Sequence, residues 1–254
     1  MRIAVAGGTG TVGHHIVEQA TRAGHEVVVL SRSNGVDLVA GDGVRAAIEG
    51  ADAVIDVASI QTLSARASRE FFGAVTENLL AAARGADVHH VALSIVGAAQ
   101  APHGYYAGKF LQEQRVAASA GHWSILRATQ FHEFAVQVLA QAKVLGAHLV
   151  PRMRSQPVAA SEVAAALIQI VESGAHGNAP DLAGPREERM ADLARSYLRR
   201  TGSTARVLEV RLPGALGAEI ANGGLLPGPG ARLGSQTFDD WLAQRGGSGR
   251  TDDR

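Results

Sequence analysis

The stretch that decides the fold is V5-A-G-G-T-G-T-V-G-H-H-I-V-E-Q-A20. It joins the apolar run "RIAVAG" (2–7) to a segment with helical spacing, and four glycines stand at the junction. Gly8-x-Gly10-x-x-Gly13 and Gly7-x-x-Gly10-x-x-Gly13 both fit a turn between a strand and a helix that opens onto an anion. One glycine permits the tight turn, one lets the backbone approach a pyrophosphate, and one lets helix and strand pack closely. The first N–H groups of the helix have no partners inside it, and its dipole is positive at that end. The stretch therefore predicts a dinucleotide site at this turn.

Working outward, four more apolar runs follow: "EVVVL" (26–30), "DAVIDVA" (52–58), "HHVALSIV" (89–96) and "WSILRA" (123–128). They scarcely alternate between apolar and polar, as strands buried on both faces do in a parallel sheet. Helical patterns fill the gaps at 11–24, 44–50, 65–85 and 105–120, and Phe71, Phe72, Val75, Leu79 and Ala82 form a core-facing stripe. The fold class is α/β, a doubly wound parallel sheet. One link is short. Only "SNG" separates "EVVVLSR" from "VDLVAG", so no crossover helix fits there. Either a short extended loop reaches a third strand, or that strand is weak or absent.

Beyond residue 130 the pattern loosens, with helices expected at 131–145, at 161–173 capped by Ser161, and at 190–201. Residues 222–234 read as loop, and "TFDDWLAQR" (237–245) as a closing helix anchored by Phe238, Trp241 and Leu242. We divide the chain into a dinucleotide-binding Rossmann-like region (1–130), a C-terminal region that completes the fold and caps the substrate cleft (131–244) and a disordered tail (245–254).

The residue that reads the adenosine ribose belongs about 20 positions after the glycines, at the end of the second strand. No acid stands there. Arg32 is placed to pair with a 2′-phosphate, with Ser31 and Ser33 as hydrogen-bond donors, and NADP(H) is favoured over NAD(H). Asp42 follows the next run and either borders the adenine or opens a turn ahead of a helix.

"YYAGKFLQEQ" (105–114) sets Tyr105 four residues before Lys109, on one helix face. A free phenol has a pKa of about 10, and an ammonium beside it would lower that value. Tyr106 points about 100° away and is the poorer candidate, by the helical repeat. Ser94, at the end of a strand, is placed to orient a substrate carbonyl. Ser59, Ile60 and Gln61 follow another strand at the same edge and border nicotinamide or substrate; Gln130, Phe131 and His132 are assigned to the substrate lining, with a buried, hydrogen-bonded role for His132 equally weighted.

These stretches together resemble the atypical short-chain dehydrogenases/reductases of the NmrA-like, NAD(P)H-binding type. "VAGGTGTVG", "LSR", "GADAVIDVAS", "VALSIVGA", "YYAGKFLQEQ" and "SILRATQFHEF" carry the likeness, and "RSQPVAASEVA", "DLAGP" and "TFDDWLAQ" extend it nearly to residue 244. The resemblance implies a Rossmann-like domain and a bound nicotinamide dinucleotide contacted by Gly7, Gly10, Thr11, Val12, Gly13 and Arg32. It also implies a catalytic set of Ser94, Tyr105 and Lys109.

Composition limits the other readings. The 254 residues carry 24 basic and 24 acidic side chains, a balance that disfavours phosphate-driven nucleic-acid binding. There is no cysteine, so disulfides, thiolate nucleophiles and Cys-ligated zinc are excluded. Ten histidines include the pairs His14-His15 and His89-His90, but adjacent positions diverge and no metal is expected. No apolar run reaches the roughly 18 residues of a membrane span, and a cytoplasmic protein is expected. The sequence thus predicts an NADP(H)-dependent oxidoreductase acting on a small carbonyl or quinone-like substrate. The alternative is a non-catalytic NADP(H)-sensing regulator. Oligomeric state is left open, a homodimer included.

Overall fold

The computed structural model describes residues 1–144 and 146–248. In chain order its principal elements are β1 (Arg2–Ala6), α1 (Gly13–Arg22), β2 (Glu26–Leu30), α2 (Val44–Ile48), β3 (Ala53–Asp56), α3 (Ala65–Ala82), β4 (His89–Ile95), α4 (Tyr105–Ala117) and β5 (Trp123–Ala128). There follow α5 (Glu133–Gln141), β6 (Lys143–Val144), β7 (Ala147–Pro151), β8 (Arg154–Ser155), α6 (Ala160–Ser173), β9 (Gly177–Asn178), β10 (Leu182–Ala183) and β11 (Glu188–Arg189). The last are α7 (Met190–Arg200), β12 (Arg206–Val210), α8 (Gly214–Asn222), β13 (Arg232–Leu233) and α9 (Phe238–Ser248).

The chain divides into two compact units. Met1–Ala128 and Ala160–Pro180 form the first; Thr129–Ala159 and Asp181 onward form the second. In the first unit the strands run β5-β4-β3-β1-β2, all parallel, and β9 also pairs with β5. Parallel strands cannot be joined by hairpins, so a helix covers each connection. α1 packs with α6, while α2, α3 and α4 pack in series, which gives the sheet a helical layer on each face. Ile3, Ala4, Val5 and Ala6 are fully buried, as are Ala53 and Ile55. Near-continuous apolar runs are what such a doubly covered sheet requires. Strand order reverses between β1 and β3, the crevice where doubly wound folds bind ligands.

The stripe on α3 is real. Phe72, Val75 and Leu79 are fully buried, and Phe71 and Ala82 lie half-buried at its margin. Ser64 caps this helix by accepting the Ala67 N–H at 3.2 Å. α3 and α4 meet closely at Gly108, where a Cβ would stand 2.2 Å from Ser68 Oγ and 2.6 Å from the Phe72 ring.

No strand follows β2 before α2 among the described residues, which decides the short link. Residues 35–43 instead form a loop held by side chains. The Asp37 carboxylate accepts the N–H groups of Val39 and Ala40, and Asn78 on α3 donates to the carbonyls of Leu38 and Val39. These bonds replace the ladder a third strand would have supplied. The two amides hold the Asp37 carboxyl below its ordinary pKa.

In the second unit β12, β7 and β6 form a small sheet, β8 pairs antiparallel with β11, and β10 pairs parallel with β13. Ala160–Pro180 belongs with the first unit. Three expectations about the elements change. Ser161 lies inside the first turn of α6, not before it, and its carbonyl accepts from Gln19 at 3.0 Å. A helix, α8, occupies Gly214–Asn222 just ahead of the loop. α9 is anchored by buried Phe238, Trp241 and Leu242 and runs to Ser248, into the segment read as tail. The rest of that tail, residues 249–254, lies outside the described residues. No helix among the described residues is long and apolar enough to cross a membrane.

Candidate functional site

The glycine turn has the form its spacing predicts. Gly7 adopts φ +85°, and a Cβ there would stand 2.8 Å from the Ala58 nitrogen and from the Val57 carbonyl. The turn therefore presses against the end of β3, closer than any side chain allows. A Cβ on Gly13 would lie 2.0 Å from the Gly7 oxygen. The Gly10 N–H closes the turn on the Gly7 carbonyl at 2.9 Å. No side chain caps α1, and its first turn carries no acid, so that end stays open to an anion. Thr11 and Val12 continue the turn into α1. The residues present thus fit a dinucleotide pyrophosphate.

At the end of β2 the Ser31 and Ser33 hydroxyls lie 2.8 Å apart, and Arg32 is exposed between them. Asp42 is exposed, and its carbonyl accepts the Asp37 N–H at 3.0 Å.

No hydrogen bond joins Ser94, Tyr105 and Lys109 to one another among the described residues. Ser94 is buried and donates its hydroxyl to Glu113, which also takes Arg127 through both carboxylate oxygens at 2.9 and 2.7 Å. Lys109 is 4% exposed. Its ammonium donates to the Leu93 carbonyl at 2.8 Å and to Gln112 at 3.0 Å, and lies 4.3 Å from the centre of the Phe72 ring. Burial brings its pKa down to about 8, against the pull of Asp56 and Glu113. The phenol of Tyr105 meets a different partner, the Ser59 hydroxyl, at 3.1 Å. Burial pushes that phenol up to about 12, opposed by the Ser59 bond and reinforced by the Asp56 charge. The expectation that Lys109 lowers the phenol's pKa is therefore corrected: the shift is upward, and the ammonium is engaged elsewhere. A shared helix face sets direction, but the Phe72 ring packs edge-on to Tyr105 at 5.4 Å and also receives Lys109.

Ser59 belongs to the loop after β3, two residues beyond Val57 and next to Ala58, the residues that Gly7 abuts. Asp56 fixes this loop. It is fully buried, accepts the Ala58 N–H at 3.1 Å, and accepts Gln112 Nε2 at 2.7 Å. Through Gln112 it reaches Lys109. Sequence reasoning passed over Asp56, Gln112, Glu113 and Arg127. The signal was there: an acid inside the buried run "DAVIDVA" and an Arg inside "WSILRA" each demand a partner. Gln61 is exposed in the same loop as Ser59.

The remaining assigned residues lie in the second unit. Gln130 is buried and accepts from the Ser155 hydroxyl at 2.9 Å, and Phe131 bridges to Val158. His132 is 1% exposed, packs against Phe238 and Trp241 at 5.7 and 5.8 Å, and sets Nε2 3.1 Å from the Gln236 carbonyl. These contacts describe a histidine held in the core of that unit. Among the described residues no group of three or more His, Asp or Glu side chains is arranged to hold a metal ion.

A parallel sheet with an uncapped helix at a glycine turn beside its switch point defines a dinucleotide-binding α/β protein. The chain belongs to the NAD(P)H-binding family, whose model matches residues 7–174. The Photosystem II assembly factor Ycf39 of Synechocystis is 35% identical over 117 residues, 40% of this chain and 36% of that protein, so the match spans about a third of the relative's length. UDP-glucose 4-epimerase of Thermus thermophilus, solved with NAD, superposes with a TM-score of 0.71 at 21% identity, over 98% of this chain and all of that one. The NADPH-dependent quinone oxidoreductase QOR2 of Escherichia coli, solved with NADPH, gives 0.70 at 19% identity, over 96% of this chain and 99% of that one. At these identities the two structures establish the shared fold.

Proposed function

We propose that the chain is an NADP(H)-dependent reductase of the short-chain type, acting on a carbonyl or quinone-like acceptor. One observation carries the reading: the Ser59–Tyr105 hydroxyl pair stands at the sheet edge on which the glycine turn rests. Bound NADPH supplies hydride. Tyr105 donates a hydrogen bond, and with a carbonyl a proton, to the acceptor oxygen, while Ser59 orients the phenol. A phenol held at about 12 keeps its proton throughout the ordinary pH range. The phenol is therefore present as a hydrogen-bond donor to an acceptor oxygen. A quinone suits this arrangement, because it accepts hydride without an activated acid.

Arg32, flanked by Ser31 and Ser33, supports the preference for NADPH through a charge-assisted bond to the 2′-phosphate. Fluorescence titration tests it. Arg32→Ala should weaken NADPH at least tenfold and leave NADH nearly unchanged; equal loss for both would remove the assignment.

A second reading has its own support. Ser94 is committed to Glu113 and Lys109 to Leu93 and Gln112, which suits a regulator that binds the dinucleotide without turnover. Oxidation of NADPH followed at 340 nm with a panel of quinones and carbonyls separates the two. Turnover favours the reductase. Saturable NADPH binding with none favours the regulator.

A further inference from the structure

The second unit contains a cavity of about 360 Å³ that the proposed reduction does not use. Its wall carries Arg152, Arg154 and Arg189 together with Glu187 and Glu209. The register of the β8–β11 ribbon sets Arg189 directly opposite Arg154. Like charges so placed oppose pairing unless something offsets them. Glu187 binds Arg154 through both oxygens, the second at 2.8 Å. Glu209 must serve two guanidinium groups: it meets Arg189 at 2.6 Å, but Arg152 only at 3.8 Å, beyond hydrogen-bond range. Three guanidinium groups thus share two carboxylates. Each offers five N–H donors, and the pairs formed occupy few of them. The three arginine side chains remain roughly half exposed, so a ligand can reach them from solvent. Met153 and Ala221 add an apolar surface to the wall.

We propose that this cavity is a binding site for a small-molecule anion, whose phosphate or carboxylate group supplies a third anionic partner to the three arginines, beside Glu209, which Arg152 and Arg189 share. Planar, forked guanidinium donors match either group. The site shares no residue with the glycine turn, so it stands or falls independently of the reductase reading.

The chain has three methionines, Met1, Met153 and Met190, which gives a local probe. Full-length protein labelled with methyl-¹³C methionine is titrated with inorganic phosphate, pyrophosphate and citrate, with and without saturating NADPH. Sodium chloride at matched ionic strength is the control. The Met153 methyl signal should shift saturably while Met1 stays fixed, whether or not NADPH occupies the turn. Arg189→Gln should weaken the response at least tenfold. Ala221→Glu, which places a carboxylate in the cavity and leaves the arginines intact, should abolish it. A response to the phosphates alone assigns phosphate, and one to citrate alone assigns carboxylate. No saturable shift with any of the three overturns the proposal. So does an equal shift with chloride, or a response that survives in Ala221→Glu, since either would mark general screening of surface ion pairs.

Discussion

Ser59 and Ser94 are both hydroxyls at carboxyl ends of strands, and their surroundings separate them. Ser94 is 3% exposed and its proton goes to Glu113; Ser59 is exposed and meets the phenol of Tyr105. Ser59→Ala should therefore lower kcat for NADPH oxidation, by roughly tenfold or more, with KM for NADPH unchanged. Ser94→Ala should leave kcat within about twofold and cost about 1 kcal/mol of stability, the net worth of a lost hydrogen bond. Parallel kinetics and urea denaturation of the two variants check this, and the reverse order of effects on kcat would restore Ser94 to the chemistry. At this scale the sequence showed which residue types stand at the edge, but not which of them meet. Spacing along α4 puts Tyr105 and Lys109 on one face, yet the side chain of Phe72 and the free acceptors on Leu93 and Gln112 decide where the ammonium goes. Gln112 stands in the same helix, but Phe72 comes from α3 and Leu93 from β4, and no local pattern in "YYAGKFLQEQ" encodes those two.

Polar burial centres on β4, with His89, His90 and Ser94, on α4, with Lys109, Gln112 and Glu113, and on Asp56 of β3. Asp56, in β3, holds both the Ser59 loop and Gln112. Its charge also raises the pKa of Lys109 against desolvation. Asp56→Asn should lower that pKa below about 8 and destabilise the chain by about 1–3 kcal/mol, since Gln112 loses a charged acceptor. The Lys109 titration, followed by NMR of the labelled side chain, reads the first effect. An unchanged or raised pKa would count against the coupling.

At the opposite end of β4, His89 is buried against Ser124 at 2.9 Å, and His90 is buried beside it. Desolvation brings His89 down to about 4 and lowers His90 as well. Both are depressed in the folded state, so the unfolded chain binds more protons as pH falls. Their neutral forms contribute stability that is full above about 6.5 and is lost progressively toward about 4. Unfolding free energy should fall over that window, and His89→Gln should flatten the slope. A slope unaltered in the variant would place the acid sensitivity elsewhere. The elements themselves were the most legible level. Runs buried on both faces announced the parallel sheet, and the helices fell within a few residues of their expected limits. The missing third strand was left open by sequence because its fate depends on Asn78, forty positions away on α3.

For the whole molecule, the first unit was readable because one repeated device builds it, a buried strand and a covering helix. The second unit uses two-residue strands and a helix at Gly214–Asn222, held by contacts distant in sequence, and its pattern is correspondingly faint. The return of Ala160–Pro180 to the first unit follows the same rule. Its apolar helix face is plain, but which layer it joins is settled by partners such as Gln19 and His25 on the far side of the chain. The account as a whole joins a nucleotide held at the amino end of α1 to a protonated phenol at the amino end of α4. Tyr105→Phe tests that join most directly. NADPH affinity is measured by fluorescence, and NADPH oxidation at 340 nm is followed with the best acceptor of a quinone and carbonyl panel. The prediction is unchanged affinity with kcat reduced by roughly a hundredfold for a carbonyl and less for a quinone. Full turnover of a carbonyl by the variant would contradict it.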